Sequence, residues 1–167
     1  MAVGYRTLAE IAIKQQPVLR ICCLGQEGYI GCMTDQYDIC LPDRAILRVG
    51  GADAIDFLQG LVSVNMEKIR DQKAVYGAFL TPQGKYLHDF FAVAMKGSVY
   101  MDCEAKRIED FQKRLKLFKL RSKIDLEIML DLRAHALIGQ DALETLGLPS
   151  TVGSTQDMTN GVIYTDP

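Results

Sequence analysis

Two apolar runs joined by a short turn constrain the fold of this chain more than any other feature of its sequence. Residues 74–80 and 85–95 are rich in aliphatic and aromatic side chains, and Thr81-Pro82-Gln83-Gly84 stands between them. Proline at the second position and glycine at the fourth are preferred in a type I turn. The sequence therefore predicts an antiparallel β-hairpin, and Gly97-Ser98 predicts a further turn before a third strand at 99–103.

Helical spacing appears on both sides of this hairpin. A strand-like run at 45–49 ends at Gly50-Gly51, and Asp53 is a candidate N-cap for the helix that follows. The apolar residues that predict this helix are Ala54, Phe57, Leu58 and Leu61. A second helix over 105–120 is predicted from Ile108, Phe111, Leu115 and Phe118. The remaining predicted elements are strands at 124–130 and 133–138, a short helix at 142–146, and a polar loop before an apolar run at 162–164.

The order of these elements determines the predicted fold class. Hairpins and helices are mixed without regular βαβ alternation, so the sequence predicts an α+β fold, an antiparallel sheet with packed helices. A doubly wound dinucleotide-binding fold is disfavoured. We place a domain boundary near Leu41-Pro42, with residues 1–40 as an atypical N-terminal extension, for which poor order is one alternative, and 41–167 as the regular part.

Composition excludes several classes of protein. With 49% hydrophobic and 24% charged residues, the chain has the composition of a globular protein. Charged residues interrupt every apolar run before the ~18–20 residues that a transmembrane helix needs, so no membrane partner is predicted. The five cysteines are an odd number without metal-site spacing, which predicts a reducing compartment and no metal. We expect the cytoplasm, with the mitochondrial matrix as the alternative if the source is eukaryotic.

The common nucleotide and hydrolase motifs do not fit. Six residues separate Gly77 from Gly84, and Tyr86 stands where a phosphate-binding loop needs Ser or Thr. No Gly-x-Ser-x-Gly elbow is present. The sequence therefore predicts neither nucleotide binding by a phosphate-binding loop nor hydrolase activity.

Asp89 is the residue whose position in the predicted hairpin is unusual. Side chains alternate along a strand, so Asp89 is expected on an apolar face. The residues expected on that face are Leu87, Phe91, Val93 and Met95. Those expected on the other face are Tyr86, His88 and Phe90. A carboxylate among apolar neighbours needs a partner. The structural alternative is an Asp paired with an Arg or a backbone N–H group, and the functional alternative is a carboxyl whose pKa is raised or one aimed at a ligand amine. His88 is interpreted as structural.

The second predicted helix and the residues after it are basic. Between Glu104 and Lys123 there are eight basic and three acidic residues. The simplest interpretation is a solvated helix face; the alternatives are an RNA surface or an anchor for a polyanionic ligand tail. RNA contact is disfavoured because no aromatic residues are interleaved with the basic ones.

Three blocks of this sequence carry a resemblance to a known family. The blocks are LPDRAILRVGGADAIDFLQGLVSVN (41–65), VYGAFLTPQGKYLHDFFAV (75–93) and DCEAKRIEDFQKRLKLFKLRSKIDLE (102–127). They resemble the folate-binding YgfZ family, which is related to the aminomethyltransferase (T protein) of the glycine cleavage system. The resemblance implies a tetrahydrofolate-binding fold of two similar halves and a C-terminal β-barrel, with folate in a central channel.

The resemblance also implies functional residues. Asp89 matches the second acid of the Asp-Asp pair in the aminomethyltransferases, and His88 occupies the place of the first. Gln59 belongs to a Phe-Leu-Gln-Gly segment typical of the family, and Asn65 stands where an Asp is common. The implied folate-binding residues are Asp89, Gln59, Asn65 and Tyr86, and Asp89 is also the candidate catalytic residue.

The family's diagnostic Lys-Gly-Cys-Tyr-x-Gly-Gln-Glu segment is expected downstream of Pro167, so the chain is predicted to be the truncated N-terminal part of the fold. Cys22-Cys23-Leu24-Gly25-Gln26-Glu27 repeats part of that segment. It is either a chance or displaced match, or it marks Cys22 as a second candidate catalytic residue whose thiolate Arg20 favours.

Three functions follow from the resemblance and the residues. The first is a folate-binding factor that supports iron–sulfur protein assembly or repair and tRNA modification, with folate and iron–sulfur assembly proteins as partners. The second is a tetrahydrofolate-dependent aminomethyltransferase, which His88 makes doubtful. The third is a non-enzymatic interaction module whose exposed sheet face pairs with itself or with a missing second half. Because a closed channel needs two walls, we expect weak or absent folate binding by this chain alone.

Overall fold

The computed structural model describes residues 18–24, 36–139 and 142–167. Within these ranges the strands are β1 Val18–Leu24, β2 Gln36–Cys40, β3 Arg44–Gly50, β4 Val75–Leu80, β5 Tyr86–Met95, β6 Ser98–Glu104, β7 Asp125–Met129, β8 Leu132–Gly139, β9 Thr155–Met158 and β10 Gly161–Thr165. The helices are α1 Ala54–Gln59, α2 Ile108–Phe118 and α3 Ala142–Thr145, and 3-10 helices form at Met66–Asp71 and Ala105–Arg107.

The strands form two five-stranded sheets. The first sheet has the order β4-β5-β6-β3-β7 and the second sheet has the order β2-β8-β1-β10-β9. All pairings between these strands are antiparallel. The predicted α+β class with an antiparallel sheet and packed helices is confirmed, as are the β4–β5 hairpin and its third strand, β6.

The strands β3, β5, β6 and β7 contribute to two apolar layers because their side chains alternate between the faces of the sheet. On β3, Leu47 packs with α1 and α2, whereas Ile46 packs against the second sheet. The layer between the first sheet and the helices contains Leu47, Phe57, Leu58, Phe90, Phe111 and Leu115. The layer between the sheets contains Ile46, Val93, Met95, Tyr100, Leu132, Val162 and Tyr164. The helices α1 and α2 therefore cover one face of the first sheet, and the second sheet covers part of the other.

Three local features differ from the sequence prediction. The loop predicted before 162–164 contains β9, a polar strand at the edge of the second sheet that has no apolar alternation to reveal it. The helix predicted over 105–120 begins as a 3-10 turn and ends at Phe118, before Leu120 adopts a φ of +39°. Asp53 precedes α1, but its side chain accepts a hydrogen bond from the Lys123 N–H at 2.7 Å instead of capping the helix.

The predicted boundary at Leu41-Pro42 falls between strands of different sheets. Strand β2 ends at Cys40 and belongs to the second sheet, whereas β3 belongs to the first. Strand β1 lies between β8 and β10 and pairs with both. The described part of residues 18–40 therefore joins strands from the end of the chain in one sheet, and the division into an extension and a domain stays a prediction.

Two glycines with nearly equal φ angles, Gly153 and Gly97, allow a matched test of packing near β9. Gly153 has a φ of +74° and Gly97 a φ of +73°. A Cβ at Gly153 would lie 2.6 Å from the carbonyl oxygen of Ala74, whereas a Cβ at Gly97 would meet nothing within 4 Å. At both positions the positive φ makes a side chain unfavourable. At Gly153 a Cβ atom would also collide with the backbone of Ala74, whereas at Gly97 it would not.

We expect Gly97→Ala to lower the free energy of unfolding by about 1 kcal/mol and Gly153→Ala to lower it by at least about 1 kcal/mol more. Urea denaturation of both variants measures the difference. Equal losses would mean that the Ala74 backbone moves aside without cost, which would contradict the close packing seen between these two segments.

Candidate functional site

Asp89 lies on β5 at a part of the first sheet where two tyrosines hold its carboxylate. The hydroxyl of Tyr76 donates a hydrogen bond to Oδ2 at 2.9 Å, and the hydroxyl of Tyr86 donates one to Oδ1 at 3.1 Å. Both tyrosine side chains are about half exposed, at 49% and 56%. The ring of Tyr76 also contacts Phe91, with ring centroids 4.8 Å apart. The result is an accessible carboxylate within a rim of aromatic rings.

The environment of Asp89 favours its ionised form. Partial burial would raise the pKa of the carboxyl, but the hydrogen bonds from Tyr76 and Tyr86 and the positive charge of Arg44 outweigh it, so the pKa lies below its usual value. The alternative of a raised Asp89 pKa was therefore wrong. The pKa values of both tyrosines are raised, that of Tyr76 chiefly by its bond to Asp89 and that of Tyr86 chiefly by burial and then by the same carboxylate. At neutral pH the site is an anionic acceptor with two neutral phenol donors.

A β-bulge places Tyr86 in this site. Phe79 pairs with His88, but the next residue, Leu80, pairs with Tyr86, so Leu87 is an extra residue on β5. The extra residue reverses the alternation at the start of the strand. The expectation that Tyr86 points away from Asp89 and that Leu87 points with it was therefore wrong: Tyr86 bonds to Asp89, and Leu87 packs in the layer beside the helices.

Arg44 and Asp102 lie beside Asp89 and were not identified from the sequence. The Nε of Arg44 donates to Oδ1 of Asp102 at 2.7 Å, and its Nη2 donates to the Asp102 carbonyl at 2.8 Å. Asp102 is only 4% exposed, and the Arg44 guanidinium lies 5.7 Å from the ring centroid of Phe91. Burial would lower the pKa of Arg44, but the charge of Asp102 outweighs this and raises it. The one available signal was an acidic residue inside the apolar strand predicted at 99–103.

His88 lies on the opposite face of the first sheet. It is 3% exposed, stacks on Phe111 with centroids 4.9 Å apart, and its Nε2 lies 2.9 Å from Oδ2 of Asp110. Burial is the main cause that lowers the pKa of His88. The same Asp110 oxygen accepts from the Nε of Arg114 at 2.6 Å. This geometry ties β5 to α2 and keeps His88 away from the Asp89 carboxylate.

Gln59 and Asn65 make local contacts in elements that pack on the helix-covered face. Oε1 of Gln59 accepts from the Met66 N–H at 2.6 Å, and Oδ1 of Asn65 accepts from the Glu67 N–H at 3.0 Å and caps the 3-10 helix. The buried Phe57, Leu58 and Met66 fix these elements against the face that carries His88. Of the four predicted folate-binding residues, Asp89 and Tyr86 contact each other, whereas Gln59 and Asn65 lie elsewhere. The folate-binding role of all four stays a prediction.

Cys22 is placed by its backbone alone. It lies in β1, paired with Val162 and Ala134, and its side chain and the segment 25–35 lie outside the described residues. Among the described cysteines, Cys103 is buried, which raises the pKa of its thiol to about 12, and Cys40 is exposed. The described part of the chain contains no cluster of three or more potential metal ligands.

In the described ranges, no helix has the length and apolar composition needed to cross a membrane.

Comparisons with curated proteins find relatives that share one description. No protein-family model matches this chain. It is similar to proteins described as mitochondrial iron–sulfur cluster assembly factor IBA57 homologues. The homologue from Chaetomium globosum is 31% identical over 53% of this chain and 25% of the relative. The homologue from Pyricularia oryzae is 33% identical over 54% of this chain and 24% of the relative. The chain thus spans about a quarter of the length of the curated relatives it matches.

A solved structure has a fold similar to that of this chain. The glycine cleavage system aminomethyltransferase T from Bartonella henselae matches with a TM-score of 0.63 over 80% of this chain and 42% of that protein, at 14% identity. The fold of this chain is therefore similar to that of part of the T protein. The resemblance inferred from the sequence is confirmed at this coarser level, a chain related to the iron–sulfur assembly homologues with a T-protein-like fold.

Proposed function

We propose that this chain is the folate-binding part of a YgfZ-like factor that supports iron–sulfur protein assembly. The observation that carries the proposal is the ionised Asp89 carboxylate, held by Tyr76 and Tyr86 within an open aromatic rim. The names of the relatives supply the process, since they are described as iron–sulfur cluster assembly factors. The contribution to tRNA modification rests on the resemblance alone.

The described residues fit a reduced folate. Its pterin ring carries N–H groups that can donate hydrogen bonds to an ionised carboxylate, and the half-exposed rings of Tyr76 and Tyr86 offer apolar surface to a planar heterocycle. Asp89 would bind and orient the ring. The tyrosines would hold the carboxylate and, together with Arg44, would keep it ionised. Tetrahydrofolate, when bound, would supply a carrier for one-carbon units.

An assembly factor is favoured over an aminomethyltransferase by the position of His88. This residue takes the place of the first acid of the aminomethyltransferase pair, and it is buried against Phe111 on the face opposite Asp89. Asp89 therefore lacks that neighbouring acid, and its lowered pKa makes it a poor proton donor at neutral pH. Iron–sulfur assembly proteins are the proposed partners. The relatives are described as mitochondrial, which favours a mitochondrial location over the cytoplasm.

The decisive experiment is an NMR titration of the chain with 5-formyltetrahydrofolate, which detects weak binding. We expect saturable shifts centred on Tyr76, Tyr86 and Asp89. We expect Asp89→Asn to weaken binding by about tenfold or more, because a charge-assisted hydrogen bond is worth about 1.5–3 kcal/mol. The matched control is Asp157→Asn on the exposed β9 strand, which should leave binding unchanged.

Equal weakening by both substitutions would indicate a general charge effect and would count against the site. If the unsubstituted chain shows no saturable shifts, it does not bind folate on its own. The alternative, a non-enzymatic interaction module that uses the open aromatic face, would then be favoured.

A further inference from the structure

The end of α2 presents apolar side chains to solvent. Residues 116–121, here named the α2 corner, follow the last buried residue of the helix, Leu115. Leu117 is 70% exposed, Leu120 is 90% exposed and Phe118 is 44% exposed. Because the helix ends at Phe118 and Leu120 takes a left-handed φ of +39°, the chain turns here and Leu120 projects from the surface.

Basic side chains surround this apolar surface. Residues 113–123 include the basic residues Lys113, Arg114, Lys116, Lys119, Arg121 and Lys123, and no acidic residue. Arg114 is paired with Asp110, and Lys116 donates to Gln112 at 2.9 Å. Among the residues that the structure describes, Lys113, Lys119, Arg121 and Lys123 form no ion pair. The α2 corner therefore combines exposed apolar area with uncompensated positive charge.

The α2 corner borders a shallow, wide-open depression. The depression has a volume of about 740 Å³ and is lined by Asp53, Phe118, Leu120, Arg121 and Ser122. The acidic side chain among these described residues, Asp53, accepts the Lys123 N–H at 2.7 Å. A depression lined by apolar side chains beside cationic ones can receive an apolar side chain that is flanked by carboxylates.

We propose that the α2 corner docks an acidic, amphipathic polypeptide segment of a partner protein. An apolar side chain of that segment fills the depression beside Phe118 and Leu120, and its carboxylates face Lys119 and Arg121. The charge of the corner favours an acidic partner, and the depression beside Phe118 and Leu120 fits an individual apolar side chain, which a polypeptide supplies. This site is separate from the folate site, because α2 covers the face of the first sheet opposite Asp89.

Fluorescence anisotropy with synthetic peptides tests the proposal on the whole chain. The probe is a labelled peptide with Glu and Leu at helical spacing; the controls are a Gln/Leu peptide and a Glu/Ser peptide. We expect saturable binding of the Glu/Leu peptide alone, weakened as salt rises from about 50 to about 300 mM. Leu117→Ser with Leu120→Ser, and separately Lys119→Glu with Arg121→Glu, should each weaken it about tenfold, that is by about 1.4 kcal/mol.

The matched control is Lys68→Glu with Lys96→Glu, which makes the same charge change at exposed lysines of the 3-10 helix and the β5–β6 turn and should leave binding unchanged. The proposal is overturned if the Gln/Leu peptide binds equally well, if the control pair weakens binding as much, or if no peptide binds. Vesicles containing phosphatidylserine and an oligouridylate RNA complete the test; if either binds at the α2 corner while the Glu/Leu peptide does not, the partner is lipid or RNA and the proposal is wrong.

Discussion

Replacing Arg44 by Met is expected to lower the free energy of unfolding by about 3–5 kcal/mol. The Asp102 carboxylate is 4% exposed, and Arg44 supplies it with a charge-assisted hydrogen bond at 2.7 Å. Met retains much of the apolar length of Arg44 but removes the charge, so Asp102 loses its guanidinium partner in a poorly solvated position. Urea denaturation followed by circular dichroism gives the loss directly.

Arg48 on the same strand is the matched control. It pairs with Asp125 and Glu127, whose side chains are 56% and 61% exposed, so Arg48→Met should cost no more than about 1 kcal/mol. Adding Asp102→Leu to Arg44→Met should recover much of the loss, because the buried charge is then absent. If Arg44→Met costs no more than Arg48→Met, water reaches Asp102 in solution and the pair is not buried as described.

The same pair shows what the sequence could predict of the site. The β4–β5 hairpin, its turn and the adjacent strand β6 were predictable from neighbouring residues. Their apolar runs indicate strands, and Thr81-Pro82-Gln83-Gly84 indicates the turn. Arg44 and Asp102 are 58 residues apart and meet because β3 pairs with β6. Pairing between distant strands depends on the tertiary arrangement, which no local pattern in this sequence encodes.

The orientation of Tyr86 was unpredictable for a related reason. When β5 is considered alone, the side chains from Tyr86 to Phe91 are expected to alternate between the two faces of the sheet without interruption. The bulge at Leu87 appears only when the strand is aligned with β4, where Phe79 and Leu80 define the shifted pairing. Asp89 was identified from its own position, whereas its two phenol partners required the neighbouring strand.

The second sheet was also beyond local prediction. Its central strand, β1, pairs with β8 and β10, more than a hundred residues further along the chain. The faces of β3 and β5 that point away from the helices are covered by residues of this second sheet: Leu132, Val162 and Tyr164. The cover stops short of Tyr76 and Tyr86, and this partial cover leaves the Asp89 carboxylate reachable.

Replacing Phe111 by Ala is expected to cost about 3–5 kcal/mol of unfolding free energy. Phe111 is fully buried, and its ring lies 4.9 Å from His88, 5.7 Å from Phe79 and 6.0 Å from Phe90, measured between ring centroids. Its removal opens a cavity at the contact between α2 and the first sheet and takes away the ring on which His88 stacks. Thermal and urea denaturation measure the cost.

Leu117→Ala on the same helix is the matched control. Leu117 is 70% exposed, so its truncation should change the free energy of unfolding by no more than about 0.5 kcal/mol. Because both substitutions place Ala in α2, helix propensity contributes little to the difference between them. Similar losses for the two variants would mean that α2 is not anchored to the sheet through Phe111, and that Leu117 is covered in solution instead of exposed.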